Sequence, residues 1–255
     1  MEFNDILIPK IAFFHFLGLE NENSQFFKLG RRLFEFTPLE ILKIFFAFDC
    51  PNLARKLGFR FNAVESADFF MNTMYKTFDY REKNNVVRND FVSLLLGLKE
   101  TFTKEELASE GMLVFGGGFE TSSTLLSFAF YELALNQDIQ EKLREEILQE
   151  VEGNDGKLTY DLLHSLKYLD MFTKETLRRY PPIAVLLRRC TNSYQVPGSD
   201  LVIEKGSSVN INSYSLHHDA EYFPDPYKFD PQRFNEENVK NIKPFTYIPF
   251  GDGPR

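Results

Sequence analysis

The sequence has no tryptophan and only two cysteines, Cys50 and Cys190, in 255 residues. So few cysteines exclude a disulfide framework, a zinc ribbon and any cysteine-ligated cluster, and they fit a reducing compartment. Positive charge is scarce as well. The 29 Lys and Arg stand against 37 Asp and Glu, a formal net charge of −8, which argues against a broad electrostatic grip on nucleic acid. No apolar run approaches the roughly 18 to 20 residues of a membrane-crossing helix, and Met1-Glu2-Phe3-Asn4-Asp5 lacks the basic opening of a signal peptide. Internal repeats, low-complexity segments and Gly/Ser/Pro-rich linkers are missing from the first half, so composition marks no domain boundary there. Phenylalanine, by contrast, is abundant: 28 residues, concentrated in the first half. A Phe-packed core and an aromatic-lined pocket would both use them. With 43% hydrophobic residues the chain can bury a sizeable core.

The first hundred residues alternate apolar stretches such as Leu39 to Phe48 with polar breaks such as Glu20 to Ser24, the pattern of several amphipathic helices. Helical spacing of Phe69, Phe70 and Met74 predicts a helix over Val64 to Thr77, and another is predicted to start near Phe91 after the polar run Tyr80 to Asn85. Thr103-Lys104-Glu105-Glu106 is a capping-box pattern opening one helix of about thirty residues that extends to Leu135-Asn136. Inside it lie Gly116, Gly117 and Gly118, each costing about 1 kcal/mol relative to alanine at an exposed helical position. Either the helix breaks there, or something approaches its backbone too closely for side chains.

Asp138 and Glu141 open a charged helix that stops at Gly153, with Lys142 and Glu146 spaced to pair on its exposed face. Thr159 to Ser165 reads as a short helical turn, and Leu166 to Tyr180 as a helix ended by Pro181-Pro182. From Ile183 onward the runs Ala184 to Leu187, Leu201 to Ile203 and Ser208 to Ile211 are separated by Pro197-Gly198 and Lys205-Gly206, the pattern of hairpins. After Tyr222 prolines pin an irregular meander. The fold class is mainly α with a small β-rich part.

Two places are candidates for chemistry, and a third is weighed against it. Glu175 and Arg178 share a helix face; such a pair is commonly a solvated one, unless Arg233, brought from the meander, shares the carboxylate in a buried network. Glu120 and Thr121 follow the glycines, where an acid beside a hydroxyl can relay protons to a group lying against the helix. The alternative is that Thr121, Ser122 and Ser123 only satisfy backbone carbonyls freed by the glycines. His217 and His218, next to Asp219 in a proline-rich setting, read as loop rather than as metal ligands.

In order and spacing, Gly117-Gly118-Phe119-Glu120-Thr121-Ser122, Glu175-x-x-Arg178, Phe229 to Phe234, and Phe250-Gly251-Asp252-Gly253-Pro254-Arg255 resemble the cytochrome P-450 haem-thiolate monooxygenases, with the flavour of microsomal, insect detoxification-type members. Before residue 100 the likeness is only a Phe-rich helical character. The resemblance implies one incomplete P-450-like domain over 1–255: distal, substrate-roof helices in 1–100, a long oxygen-site helix and core helices in 103–180, and hairpins and meander up to the haem loop in 181–255. It implies haem, iron protoporphyrin IX, as the cofactor of the complete protein. Gly117, Gly118, Arg188, Phe250, Gly253 and Arg255 would bind it, the two arginines as donors to its propionates. Glu120 and Thr121 would be the catalytic proton-delivery pair. Glu175, Arg178 and Arg233 would form the structural network, and Phe115, Phe119, Ile183, Val185, Leu186 and Leu187 the substrate pocket.

The partners implied are a small hydrophobic substrate, an NADPH-dependent reductase and, by family, the endoplasmic reticulum membrane on its cytosolic face, with no nucleic acid. Gly117 stands where alanine is commoner and Gln232 where glutamate is. The family's loop continues Phe-x-x-Gly-x-Arg-x-Cys to the thiolate that ligates iron. This sequence ends at the Arg, and neither Cys50 nor Cys190 stands in the ligand's place. No metal ligand is therefore expected among these residues, and the stretch by itself is expected to be inactive. The competing reading is a non-catalytic helical remnant that binds apolar ligands or partners.

Overall fold

The computed structural model describes residues 25–59 and 64–253. The chain divides into two compact units, Met1–Glu120 and Thr121–Arg255. In the first, α1 (Gln25–Arg32), α2 (Pro38–Asp49), α3 (Pro51–Lys56), α4 (Val64–Lys83) and α5 (Phe91–Gly97) precede the start of the long helix α6 (Lys104–Leu135). Local chemistry sets most of these boundaries. Thr37 and Glu40 form a capping box ahead of Pro38, where a missing N–H is harmless. Asp90 caps α5 through the Ser93 N–H at 3.0 Å and holds Arg81 bidentately at 2.6 and 2.8 Å. That pairing explains why α4 runs past Thr77 to Lys83: Phe78 and Arg81 are both buried, so the polar run belongs to the helix. The unit is held by two apolar clusters, one of Met74, Phe78, Val92, Leu95, Leu107 and Ala108, the other of Leu29, Leu33, Phe70 and Phe115.

Thr103 and Glu106 cap α6 reciprocally, Thr103 N to Glu106 Oε2 at 2.8 Å and Glu106 N to Thr103 Oγ1 at 3.2 Å. The helix then continues unbroken through Gly116 to Gly118, which settles one alternative left open by the sequence. Stacking beside the glycines offsets their poor propensity, with Phe115 4.7 Å from Phe70 and 5.8 Å from Phe119.

The second unit contains the rest of α6, then α7 (Gln137–Gly153), α8 (Tyr160–Ser165) and α9 (Lys167–Arg179), followed by the β part and the meander. Ile139 and Leu143 of α7 pack with Phe172 of α9 and Phe229 of the meander. The N-terminus of α9 has no side-chain cap of its own. Glu146 of α7 supplies one instead, accepting the Tyr168 N–H at 2.7 Å and the Leu169 N–H at 2.9 Å. Its carboxylate thus works between helices rather than along its own.

Strands β1 (Val185–Arg189) and β4 (Ser208–Asn212) pair antiparallel, Val185 opposite Asn212 and Arg189 opposite Ser208. Between them β2 (Tyr194–Gln195) and β3 (Val202–Ile203) form a hairpin across Pro197-Gly198. The turn at Lys205-Gly206 joins strands of different sheets. His217 closes α10 (Ser213–His217) and His218 is its C-cap, so the loop expected there is a short helix, in which Asn212 caps the Ser215 N–H at 3.0 Å. The meander holds two 3₁₀ turns, Pro231–Phe234 and Asn238–Asn241. Among the described residues, no helix is long and apolar enough to cross a membrane.

Candidate functional site

Helix α9 buries Glu175, Thr176, Leu177 and Arg178 in succession. Glu175 and Arg178 are wholly inaccessible to solvent. Their side chains meet twice, Nε to Oε2 at 2.7 Å and Nη2 to Oε1 at 2.9 Å, the fork-to-carboxylate geometry that only arginine provides. Arg178 Nη1 donates to the His217 carbonyl at 2.7 Å and Nη2 to that of Pro226 at 2.9 Å. Glu175 accepts the Asp230 N–H at 2.9 Å, and Arg233 Nε lies 3.5 Å from its Oε1. Burial pushes the Glu175 carboxyl up, and the two guanidiniums with the Asp230 N–H oppose that shift. Glu175, Arg178 and Arg233 are therefore one cluster joining α9, α10 and the meander.

Against this cluster lies His217, also fully buried. Its Nε2 accepts the Ile248 N–H at 2.9 Å, which leaves the ring proton on Nδ1. Burial lowers its pKa to about 4. It ties the loop that leads to Phe250 onto the network.

In that loop Gly251 has φ +76°, and a Cβ there would lie 3.0 Å from Arg188 Nη2 and 3.6 Å from Leu186 Cδ1. Glycine is what lets the loop close on β1. Gly253 also has positive φ, +100°. Along β1, Leu186 is buried while Val185, Leu187 and Arg188 are exposed, as is Ile183 before the strand. No carboxylate among the described residues pairs with Arg188, whose Nη1 donates only to the Leu187 carbonyl at 3.0 Å. Phe250, 72% exposed, borders an open groove of about 450 Å³ between α9 and the segment Tyr247 to Gly251. Arg255 lies outside the described residues.

In the first unit, Phe115 sits in the core and Phe119 packs partly buried on it and on Phe34, 6.0 Å away. Gly117, Gly118 and Glu120 occupy exposed positions of α6. A Cβ at either glycine would meet nothing within 4 Å. Thr121, half-buried, begins the second unit on the same helix.

Two functional-looking features escaped the sequence reading. One is Glu146 as a cap on α9. The other is Glu132, 5% exposed, which accepts the Tyr180 hydroxyl at 2.5 Å. Its only signal was a lone carboxylate in a very apolar helix half.

The chain belongs to the cytochrome P450 family, whose model matches residues 7–255, and its mainly α architecture with a small two-sheet part agrees with that. The chain is 46% identical over 243 residues to the probable cytochrome P450 6a13 of Drosophila melanogaster, covering 93% of this chain and 49% of that protein. It is 38% identical over 262 residues to cytochrome P450 6k1 of Blattella germanica, covering 93% and 50%, and 40% identical over 267 residues to cytochrome P450 6A1 of Musca domestica, covering 99% and 52%. The chain spans about half the length of the curated relatives it matches.

Membership implies iron protoporphyrin IX as the family's cofactor. Within the second unit, Arg188 has the chemistry to hold a propionate of that group: no carboxylate among the described residues pairs with its guanidinium, and it lies beside the Gly251 loop. Within the first, a Cβ at Gly117 or Gly118 would meet nothing within 4 Å. Of the two cysteines, Cys50 is exposed and Cys190 Sγ bonds the Asn192 carbonyl at 2.9 Å. No group of three potential metal ligands occurs among the described residues.

Proposed function

We propose that the protein carrying this segment is a haem-dependent monooxygenase. It inserts one oxygen atom of O2 into a small hydrophobic substrate, and the other leaves as water with two electrons and two protons. The electrons come from an NADPH-dependent reductase, and the site of action is the cytosolic face of the endoplasmic reticulum membrane. The observation that carries this reading is the family match across 7–255.

When bound, haem supplies the activation of dioxygen. The chain's own residues bind, orient and deliver protons. Arg188, with Arg255, holds propionate charge by charge-assisted hydrogen bonds, and Phe250 and Gly253 belong to the loop that supports the macrocycle. Gly117 and Gly118 keep the surface of α6 clear of side chains. Thr121 offers a hydroxyl that passes protons onward, and the adjacent Glu120 resupplies them. In the second unit Ile183, Val185 and Leu187, backed by the buried Leu186, give the substrate an apolar surface, and in the first Phe119 does so, backed by Phe115 in the core. Glu175, Arg178 and Arg233 keep α9 and the meander in register.

The test is to express the full-length protein, load it with haem and combine it with a reductase. Haem uptake with a thiolate-type carbon monoxide spectrum is expected, together with NADPH-dependent transfer of labelled oxygen from O2 into an apolar substrate. Haem uptake without any oxygenated product across a broad substrate panel would overturn the reading.

A further inference from the structure

The second half of α6 carries a buried carboxylate that none of these roles uses. Glu132 accepts the Tyr180 hydroxyl at 2.5 Å and the Asn136 side-chain amide at 2.9 Å. One helical turn earlier, Phe128 lies flat against the Tyr180 ring, 4.2 Å between centroids and 2° between planes. The Arg179 guanidinium is 5.2 Å from the same ring, and its Nη1 meets His218 Nε2 at 2.9 Å. Tyr180 is thus gripped by its hydroxyl and by its ring, both from one face of α6.

Its place in the chain gives the grip a consequence. Tyr180 is the C-cap residue of α9, followed at once by Pro181-Pro182, whose φ angles are fixed. Next comes Ile183, whose carbonyl accepts the Ser213 hydroxyl at 2.8 Å, and then β1. Little freedom remains between the Tyr180 ring and the strand face that exposes Val185 and Leu187. An apolar pair would fill the same space without desolvating a carboxylate. What the hydrogen bond adds is a single hydroxyl position, and so a single separation between α6 and β1.

We propose that Glu132 and Tyr180 are positioning residues, a clamp between α6 and β1 that sets the size of ligand accepted along Val185 and Leu187. Calling that ligand a substrate rests on the monooxygenase reading; the clamp does not.

The experiment uses the full-length haem-loaded protein. Tyr180→Phe keeps the ring and removes the hydroxyl, Glu132→Leu removes the acceptor, and Glu132→Gln keeps one. The probes are imidazole and its phenyl derivative, titrated by the haem absorbance shift, and the readout is the ratio of their dissociation constants. Tyr180→Phe and Glu132→Leu should change that ratio by about five-fold or more, a size-discrimination effect, while Glu132→Gln stays within about two-fold of the parent. Hydrogen exchange should accelerate across Ile183 to Leu187 in the first two variants and stay unchanged in α7. Should Glu132→Leu not fold, Phe128→Leu, which loosens only the ring contact, should move the ratio the same way. An unchanged ratio in Tyr180→Phe overturns the proposal, whatever its stability. A parent protein that takes up no haem overturns the functional reading instead, and the exchange comparison then decides the clamp alone.

Discussion

Glu175 shows what one residue can fix in a chain this long. Its carboxylate faces two guanidiniums and a backbone N–H at full burial, so removing it strands Arg178 in a site without water. Breaking such a set by deleting one partner costs roughly 3 to 5 kcal/mol. Glu175→Ala should therefore sharply lower the yield of soluble full-length protein and its urea midpoint; a variant of normal midpoint would sink the network's structural role. The E-x-x-R spacing and a buried network shared with Arg233 were legible in the sequence, but the Asp230 N–H and the Pro226 carbonyl that complete the set were not, because they arrive some fifty residues later. The same holds for His217, read as loop from its proline-rich neighbourhood. It is buried because Arg178 recruits its carbonyl and Ile248 its ring.

His217 also makes a pH prediction. Its folded pKa of about 4 lies below the unfolded value near 6.5, so between those values the unfolded chain binds more protons. The stability it contributes is complete above about pH 6.5 and is lost as pH falls toward 4, roughly 2 kcal/mol of it by about pH 5. Burial lowers the pKa of His218 too, with the same sign. Urea unfolding at neutral and mildly acidic pH should show His217→Gln losing less stability on acidification than the parent, since glutamine still offers an acceptor to the Ile248 N–H. Equal losses would mean that His217 is not the titrating group.

Among the elements, α6 and α9 carry opposite lessons. The span of α6 was readable from its capping box and apolar run, and the structure adds that the glycines do not interrupt it. Because a Cβ at Gly118 meets only open space, Gly118→Ala should stabilise the haem-free protein by about 0.5 to 1 kcal/mol through helix propensity. Gly118→Leu should leave helicity intact and reduce haem uptake. Circular dichroism and the haem-to-protein ratio check both, and an unchanged ratio would refute the idea that the glycines make room for the cofactor. Helix α9 was readable in extent, start included, but not in what caps it. Sequence spacing offers Lys142 as the partner of Glu146, whereas the carboxylate serves two backbone N–H groups of another helix, a contact no local pattern encodes. Glu146→Ala should cost about 1 to 2 kcal/mol, and Lys142→Ala no more than about 0.5 kcal/mol, both by chemical denaturation.

At the scale of the molecule, the order of motifs was legible because each carries a local pattern: glycines where the helix surface is clear, prolines where φ is fixed, a charged triplet at set spacing. What holds the units internally was not, since Phe70 on Phe115 and Phe172 on Phe229 are meetings of residues distant in sequence. Cofactor binding gives a measurement on the whole molecule, because a ligand that binds only the folded state raises the unfolding midpoint in proportion to its affinity. Arg188 separates that effect from intrinsic stability. Its guanidinium has no carboxylate partner among the described residues and its side chain is exposed, so Arg188→Leu should change the haem-free protein by less than about 0.5 kcal/mol. If Arg188 holds a propionate, the same change removes a charge-assisted hydrogen bond worth about 1.5 to 3 kcal/mol. Haem should then dissociate roughly ten- to a hundred-fold more readily, and the haem-induced rise in midpoint should shrink accordingly. Arg188→Lys, which keeps the charge but loses the fork, should fall between. Transfer of haem to an excess of an apoprotein acceptor reads the dissociation directly. Equal transfer from parent and Arg188→Leu would show that this arginine does not hold the cofactor.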